Sequence, residues 1–153
     1  MKLRQSPRLK DFRYVGPFAY HLTLVTRGRL PIFTTEKAVQ PCLHAVELAC
    51  QRDGFDTVAF CFMPDHLHLL LTGREESSLQ DFARYFKQVS GYHFKHRYGA
   101  GLWQISYHDH VVRRDEDVQQ IAAYIWDNPV RAGLVESRLD YAFSGPRELV
   151  EQA

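Results

Sequence analysis

The sequence lacks any hydrophobic run long enough to cross a membrane. A membrane-spanning helix needs about 20 consecutive, mostly apolar residues, and the 153-residue chain contains no such run. A secretory signal is also missing, because no apolar stretch follows the basic first ten residues. We therefore expect a cytoplasmic protein that has no membrane partner.

Cysteine is scarce, and charge of one sign does not dominate. The three cysteines, Cys42, Cys50 and Cys61, include no Cys-x-x-Cys pair. An odd number without such a pair favours reduced core residues over a disulfide framework or a cysteine metal site. The formal net charge is only +1 at pH 7, so the field of the whole molecule does not indicate a nucleic-acid partner.

Basic residues nevertheless concentrate in two segments. Residues 1–13 hold five basic side chains and one acid, and residues 82–108 hold no acid at all. The second segment also carries tyrosine and phenylalanine between its basic residues. Single-stranded nucleic acid is bound by positive grooves and by aromatic rings that stack on bases, although some of these rings also suit a helix core. The candidate DNA-binding residues in the two segments are Arg4, Arg8, Arg13, Arg84, Lys87, Lys95 and Arg97.

The pattern of apolar residues predicts four strands and three helices in a single domain, residues 1–153. Alternation predicts strands over 18–25, 57–63, 66–72 and 103–112, with a tight turn at 64–65. Helical spacing predicts one helix between the first two strands, one between the last two and one after the fourth. We expect the first helix to begin at Thr34 or Thr35 and end at Gly54, the second to begin at Ser77 or Ser78 and end at Gly99 or Gly101, and the last to stop at Pro129. Residues 1–17 are interpreted as a basic arm and residues 136–153 as a C-terminal tail.

The order strand, helix, strand, strand, helix, strand, helix predicts an α+β fold. Its first six elements match the split βαβ arrangement, an antiparallel sheet with helices on one face. The seventh element is an extra helix, which must dock somewhere on that sheet.

The most informative motif is His66-Leu67-His68, on a predicted strand. Strand side chains alternate between faces, so the two histidines project together while Leu67 points into the core. Two imidazoles on one sheet face can chelate a divalent metal ion; the alternative is a solvated pair. His108 and His110 form a rival pair, but their polar surroundings suit a solvated or DNA-facing edge better.

The last predicted helix carries Gln120, Tyr124 and Asn128 at four-residue spacing, which forms one polar stripe. Docked against the sheet, this stripe would bring a phenol beside the histidines and Asn128 as a third metal ligand. Such a donor set leaves positions on Mg²⁺ or Mn²⁺ for a phosphate oxygen and water. A tyrosine hydroxyl, with a pKa of ~10, can attack phosphorus and later leave again without ATP. The alternative is that Tyr124 is structural.

Four motifs together resemble a known family. Residues 63–70 resemble the His-hydrophobic-His (HUH) motif of single-tyrosine transposases. Residues 124–135 resemble the tyrosine-bearing helix end of REP-associated tyrosine transposases, which are related to insertion-sequence-200-like transposases. Residues 103–110 are similar to the segment that precedes that helix. Residues 18–23, followed by Arg27 and Arg29, are similar to the first strand and turn of the family, and these two arginines join the DNA-binding candidates.

The resemblance implies a ferredoxin-like fold and metal-dependent cleavage of single-stranded DNA. Cleavage in the family leaves a 5′-phosphotyrosine intermediate and a free 3′-OH, and the substrates are palindromic hairpins. By position, His66 and His68 would bind the metal, Tyr124 would be the nucleophile, and Asn128, where mobile relatives carry glutamine, would complete the metal shell. The short connection to the last helix favours a monomer over a homodimer. A binding module without catalysis and a phosphodiester hydrolase in which water attacks remain open alternatives.

Overall fold

The computed structural model describes residues 14–113 and 117–153, which form an antiparallel sheet with helices on both faces. The strands are β1 (Ala19–Val25), β2 (Phe55–Met63), β3 (His66–Gly73), β4 (His108–Val112) and β5 (Ser144–Gly145). The helices are α1 (Glu36–Asp53), α2 (Leu79–Tyr98), α3 (Val118–Trp126), α4 (Asn128–Arg131) and α5 (Arg147–Gln152). The strand order is β4-β1-β3-β2-β5, so the histidine strand β3 lies at the centre.

Local sequence signals set the ends of the two long helices. The Thr35 side chain accepts a hydrogen bond from the amide of Ala38, and Ser78 caps α2 in the same way. At the other ends, Gly54 and Gly99 adopt a left-handed conformation, with φ of 74° at each, which glycine adopts without steric cost. These helix boundaries agree with the sequence prediction, and α1 continues through Pro41.

The sheet separates two clusters of buried side chains. Helices α1 and α2 cover one face, where they bury Leu67, Leu69 and Leu71 of β3. On the opposite face, Leu70 packs in a second cluster with Ile125 of α3. The α+β, ferredoxin-like fold is therefore confirmed, and the extra helix docks on the face that α1 and α2 leave open.

Two predicted boundaries are wrong. The fourth strand covers only His108–Val112. The strand-like backbone pairing of Trp103 is limited to an isolated bridge with Thr26. Before that strand, the Lys87 ammonium donates hydrogen bonds to the backbone carbonyls of residues 104 and 105. These two carbonyls therefore accept hydrogen bonds from a side chain and not from a neighbouring strand. Pro129 does not end a helix, because α3 has already stopped at Trp126 and the proline lies in the first turn of α4, where its missing N–H costs nothing.

The segment expected as a C-terminal tail, residues 136–153, packs against the sheet. Its strand β5 pairs with β2. The indole N–H of Trp126 donates to the carbonyl of Gly145 at 2.9 Å, and Arg138 forms two hydrogen bonds of 2.7 Å with the carboxylate of Asp127. The segment therefore anchors the junction between α3 and α4.

Among residues 14–113 and 117–153, none of the helices has both the length and the apolar character that crossing a bilayer demands.

Candidate active site

The candidate site lies on the sheet face that carries α3. His66 and His68 project from β3 on this face, as the strand alternation predicts, and their rings lie 4.8 Å apart between centroids. His68 is buried, with 1% of its surface exposed, whereas His66 is half-buried. The rival pair lies on β4, at the edge of the sheet, where His108 is exposed and His110 is half-buried.

Each histidine of the pair has a neighbour at its Nδ1 atom. Nδ1 of His66 lies 2.7 Å from a carboxylate oxygen of Asp65. Nδ1 of His68 lies 3.0 Å from Nε2 of His21 and 3.2 Å from the hydroxyl of Thr23, both on the adjacent strand β1. These contacts occupy one nitrogen of each ring, and Nε2 is the nitrogen that they leave for a metal ion.

The buried imidazoles are held in the neutral form. Burial, followed by the neighbouring rings of His21 and His66 and by the charge of Arg131, lowers the pKa of His68 well below its usual value. Burial and the nearby His110 likewise lower the pKa of His21 to about 4. Because only a neutral imidazole has a lone pair to donate, this environment suits a metal ligand.

Tyr124 lies on the same side of the sheet, near the end of α3. Helix α3 packs on β2 and β3 of this face. The guanidinium of Arg131 stacks on the Tyr124 ring, with its carbon 3.8 Å from the ring centroid. It also donates a 2.7 Å hydrogen bond to the backbone carbonyl of Tyr124. After burial and the neighbouring histidines, the charge of Arg131 contributes to the low pKa of His68, so the guanidinium that stacks on Tyr124 also lies near the buried histidine.

The two histidines of the pair are donors of a type that binds a divalent cation, and a third ligand would have to come from a neighbouring residue. Within the described part of the chain, no three His, Cys, Asp or Glu side chains cluster closely enough to hold a metal ion. A third ligand from these residues would therefore be of another type, such as the amide oxygen of Asn128. Asn128 is half-buried at the start of α4, which packs against β2. Helix α3 ends before Asn128, so the predicted polar stripe is divided between two helices.

The basic residues predicted to bind DNA are spread over several parts of the surface. Arg84 lies 3.6 Å from Asp81 on the exposed side of α2, and Arg97 stacks near Tyr98. Lys95 is exposed on the last turn of α2. Arg27 and Arg29 form a single turn after β1, where Arg29 lies 3.6 Å from Asp65, the partner of His66. Arg4, Arg8 and Arg13 fall outside the described residues.

The aromatic rings of α2 divide between the core and the surface. Phe82 and Phe86 are fully buried, as the core interpretation expected, whereas Tyr92 and Tyr98 are exposed. The tip of the loop after α2 carries Ile105, which is 100% exposed. Exposed rings and basic side chains therefore meet at the C-terminal end of α2.

Sequence reasoning did not identify three residues of this site. His21 and Thr23 alternate with core residues on β1, and only the register of β1 beside β3 brings them to His68. Arg131 lies beyond the predicted end of the last helix, so the helical spacing indicates no contact between it and Tyr124. The alternation of β1 was the available signal for His21.

Comparison with known proteins identifies the family. The family model described as "Transposase IS200 like" matches residues 14–128, which span the described sheet from β1 to β4 and the tyrosine helix. The chain belongs to the IS200-like transposase family. It is therefore a member of a family of DNA transposases, and the resemblance drawn from the sequence motifs is confirmed.

Named relatives and one solved structure agree with this assignment. The chain is 28% identical to a REP-associated tyrosine transposase of Haemophilus influenzae over 148 residues, covering 88% of this chain and 82% of the relative. It is 28% identical to the REP-associated tyrosine transposase of Escherichia coli K12, covering 86% and 78%. A solved REP-associated tyrosine transposase bound to a REP hairpin superposes with a TM-score of 0.78 and 25% identity, covering 96% of this chain and 87% of that one.

Proposed function

We propose that this IS200-like transposase cuts and rejoins single-stranded DNA next to a hairpin, with Tyr124 as the nucleophile. The observation that carries the proposal is the packing of α3, which bears Tyr124, on the sheet face from which the two histidines project. A phenol that attacks phosphorus and two imidazoles that hold a metal ion are groups that phosphodiester transfer through a tyrosine needs.

The reaction conserves the energy of the phosphodiester bond. The Tyr124 oxygen attacks the phosphorus, the bond from phosphorus to the 3′ oxygen breaks, and that oxygen leaves as a 3′-OH after taking a proton. The 5′ end stays attached as a phosphotyrosine. A 3′-OH can then attack the same phosphorus and release the tyrosine, so rejoining needs no nucleotide cofactor.

The metal in this proposal is Mg²⁺ or Mn²⁺. His66 and His68 would hold it through their Nε2 atoms, with Asn128 as a third ligand. When bound, such an ion withdraws charge from the scissile phosphate and stabilises the transition state.

The proposed substrate is a palindromic hairpin with a single-stranded flank, of the REP type that the similar solved transposase binds. The exposed basic and aromatic side chains at the end of α2 suit this partner, because they offer charge to phosphates and rings to unpaired bases. Arg27 and Arg29 are candidates for binding the flank, since their turn reaches Asp65 beside the metal ligand His66. The basic residues of the predicted arm, which lie within residues 1–13, would add further backbone contacts. Residues 14–16, which were expected to belong to that arm, pack at the start of α2, and Tyr14 is buried in the core.

A labelled REP-type hairpin, incubated with the protein and Mn²⁺ and then denatured, tests the proposal. We expect a covalent protein–DNA adduct that disappears in Tyr124→Phe and persists in the control Tyr20→Phe, a tyrosine buried on the opposite face of the sheet. Tyr124→Phe keeps the ring on which Arg131 stacks, so the fold is expected to survive. Cleavage without an adduct would indicate a hydrolase, and tight metal-independent binding without cleavage would indicate a binding module; either result contradicts the proposal.

A further inference from the structure

The two histidines of the pair are supported by different kinds of neighbour. Nδ1 of His66 meets the Asp65 carboxylate at 2.7 Å. An ionised carboxylate only accepts hydrogen bonds, so this contact places a proton on Nδ1 of His66 and leaves its Nε2 lone pair for a metal. The tautomer of His66 is therefore set by its neighbour.

The Nδ1 atom of His68 contacts the imidazole of a third histidine, His21, where His66 has the carboxylate of Asp65. Nε2 of His21 lies 3.0 Å away, and the two rings are 5.1 Å apart between centroids. A neutral imidazole nitrogen either donates or accepts, depending on its tautomer. If His21 donated, Nδ1 of His68 would be the acceptor and its proton would lie on Nε2, where it would block metal binding.

We infer that His21 is a positioning residue for the metal site: its Nε2 accepts a hydrogen bond from the Nδ1–H of His68, which leaves the Nε2 lone pair of His68 for the cation. The inference rests on the proposed metal-dependent function. It assigns a role to a residue on another strand, 47 positions away in the sequence. The Thr23 hydroxyl oxygen, 3.2 Å from the same Nδ1 atom, is a second acceptor for the hydrogen bond from that N–H.

The surroundings of His21 support an orienting role. The residue is 7% exposed, so water cannot readily replace its contact with His68. Strand β1, which carries His21, is hydrogen-bonded to β3 on one side and to β4 on the other. The backbone of His21 is therefore held on both sides. Hydrogen-bonded partners behind a metal ligand set its tautomer and orientation, and their loss typically weakens metal binding by 10-fold to 100-fold.

The tautomer can be read directly in the metal-free protein. Two-bond ¹⁵N–¹H correlation spectra of histidine-labelled protein distinguish a proton on Nδ1 from one on Nε2, and His68→Gln assigns the signal. We expect His68 to carry its proton on Nδ1 and His21 to have an unprotonated Nε2. A proton on Nε2 of His68 would overturn the inference, whether or not the protein binds metal.

Metal affinity supplies the second test. We compare the Mn²⁺ dissociation constants of the full chain and of His21→Leu, His21→Gln and the control His44→Leu by electron paramagnetic resonance. His44 is an exposed histidine of α1, on the opposite face. We expect His21→Leu to weaken Mn²⁺ binding by about 10-fold to 100-fold. His21→Gln, whose amide oxygen can accept the hydrogen bond from Nδ1–H of His68, should restore most of the affinity, and His44→Leu should have no effect.

Hairpin affinity and thermal unfolding, both measured in EDTA, separate positioning from folding. We expect both to stay close to wild type in His21→Gln. A His21→Leu protein that binds Mn²⁺ within about twofold of wild type, or a His21→Gln protein as weak as His21→Leu, would overturn the role of His21. Absence of Mn²⁺ binding in the wild type would instead overturn the proposed metal site, and the tautomer spectra would then decide the role of His21 alone.

Discussion

Removal of the Arg131 guanidinium is expected to slow DNA cutting much more than it destabilises the protein. The group stacks on the Tyr124 ring at 3.8 Å and donates a 2.7 Å hydrogen bond to the Tyr124 carbonyl. A stack of this kind at an exposed site contributes about 0.5–1 kcal/mol, and the hydrogen bond contributes about 1 kcal/mol. Arg131→Ala should therefore lower the free energy of unfolding by about 1.5–2 kcal/mol, which corresponds to a Tm decrease of roughly 3–8 °C.

Such a loss leaves nearly all of the protein folded at 25 °C, so unfolding alone would not slow cutting. If Arg131 positions the phenol, small displacements of Tyr124 should reduce the single-turnover cutting rate by about 10-fold to 100-fold. Arg131→Lys retains the charge but loses the planar stack, and we expect an intermediate rate. The assay is single-turnover cleavage of a labelled hairpin, with the hairpin Kd measured in parallel.

The matched control is Arg52→Ala, which removes an arginine of α1 that stacks on the Tyr85 ring on the opposite side of the sheet, with its carbon 4.7 Å from the ring centroid. Cutting by Arg131→Ala at the wild-type rate would refute the positioning role. A rate loss matched by an equal loss of hairpin affinity would refute it as well, because the guanidinium would then act as a DNA contact.

Three further predictions concern the ligands, the core and the DNA-binding surface. His66→Ala should abolish cutting while the hairpin Kd in EDTA stays within about twofold; equal loss of both would make His66 structural. Leu70→Ala should lower the free energy of unfolding, measured in urea, by about 2–5 kcal/mol, because Leu70 is fully buried beneath α3; a loss below about 1 kcal/mol would contradict this packing. Arg97→Ala should reduce the slope of log K against log salt by about 0.9 if it contacts a stem phosphate, and an unchanged slope would exclude that contact.

The sequence predicts the parts of the fold that depend on local patterns. Alternation along β3 places His66 and His68 on one face because successive strand side chains point in opposite directions. Thr35 and Gly54 mark the ends of α1 because capping chemistry acts within one helical turn. These features require no knowledge of what lies across the sheet.

Features that depend on long-range packing could not be predicted in the same way. Helix α3 docks on the face where Ile125 joins the same buried cluster as Leu70, and these two residues lie far apart in the sequence. In the loop before β4, two backbone carbonyls accept hydrogen bonds from the ammonium of Lys87, which lies 17 and 18 positions earlier in the sequence. The contact between His21 and His68 requires the register of β1 on β3, which places Thr23 opposite His68.

The most direct measurement of the central claim is to locate the DNA attachment site by mass spectrometry. After reaction with a hairpin and Mn²⁺, the protein is digested with nuclease and trypsin. Cleavage after the basic residues yields a peptide of residues 115–131, in which Tyr124 is the only tyrosine. We predict a nucleotide phosphate on this peptide in the wild type, and none on it in His66→Ala. A nucleotide attached to any other peptide, or cut DNA with no modified peptide, would contradict the account.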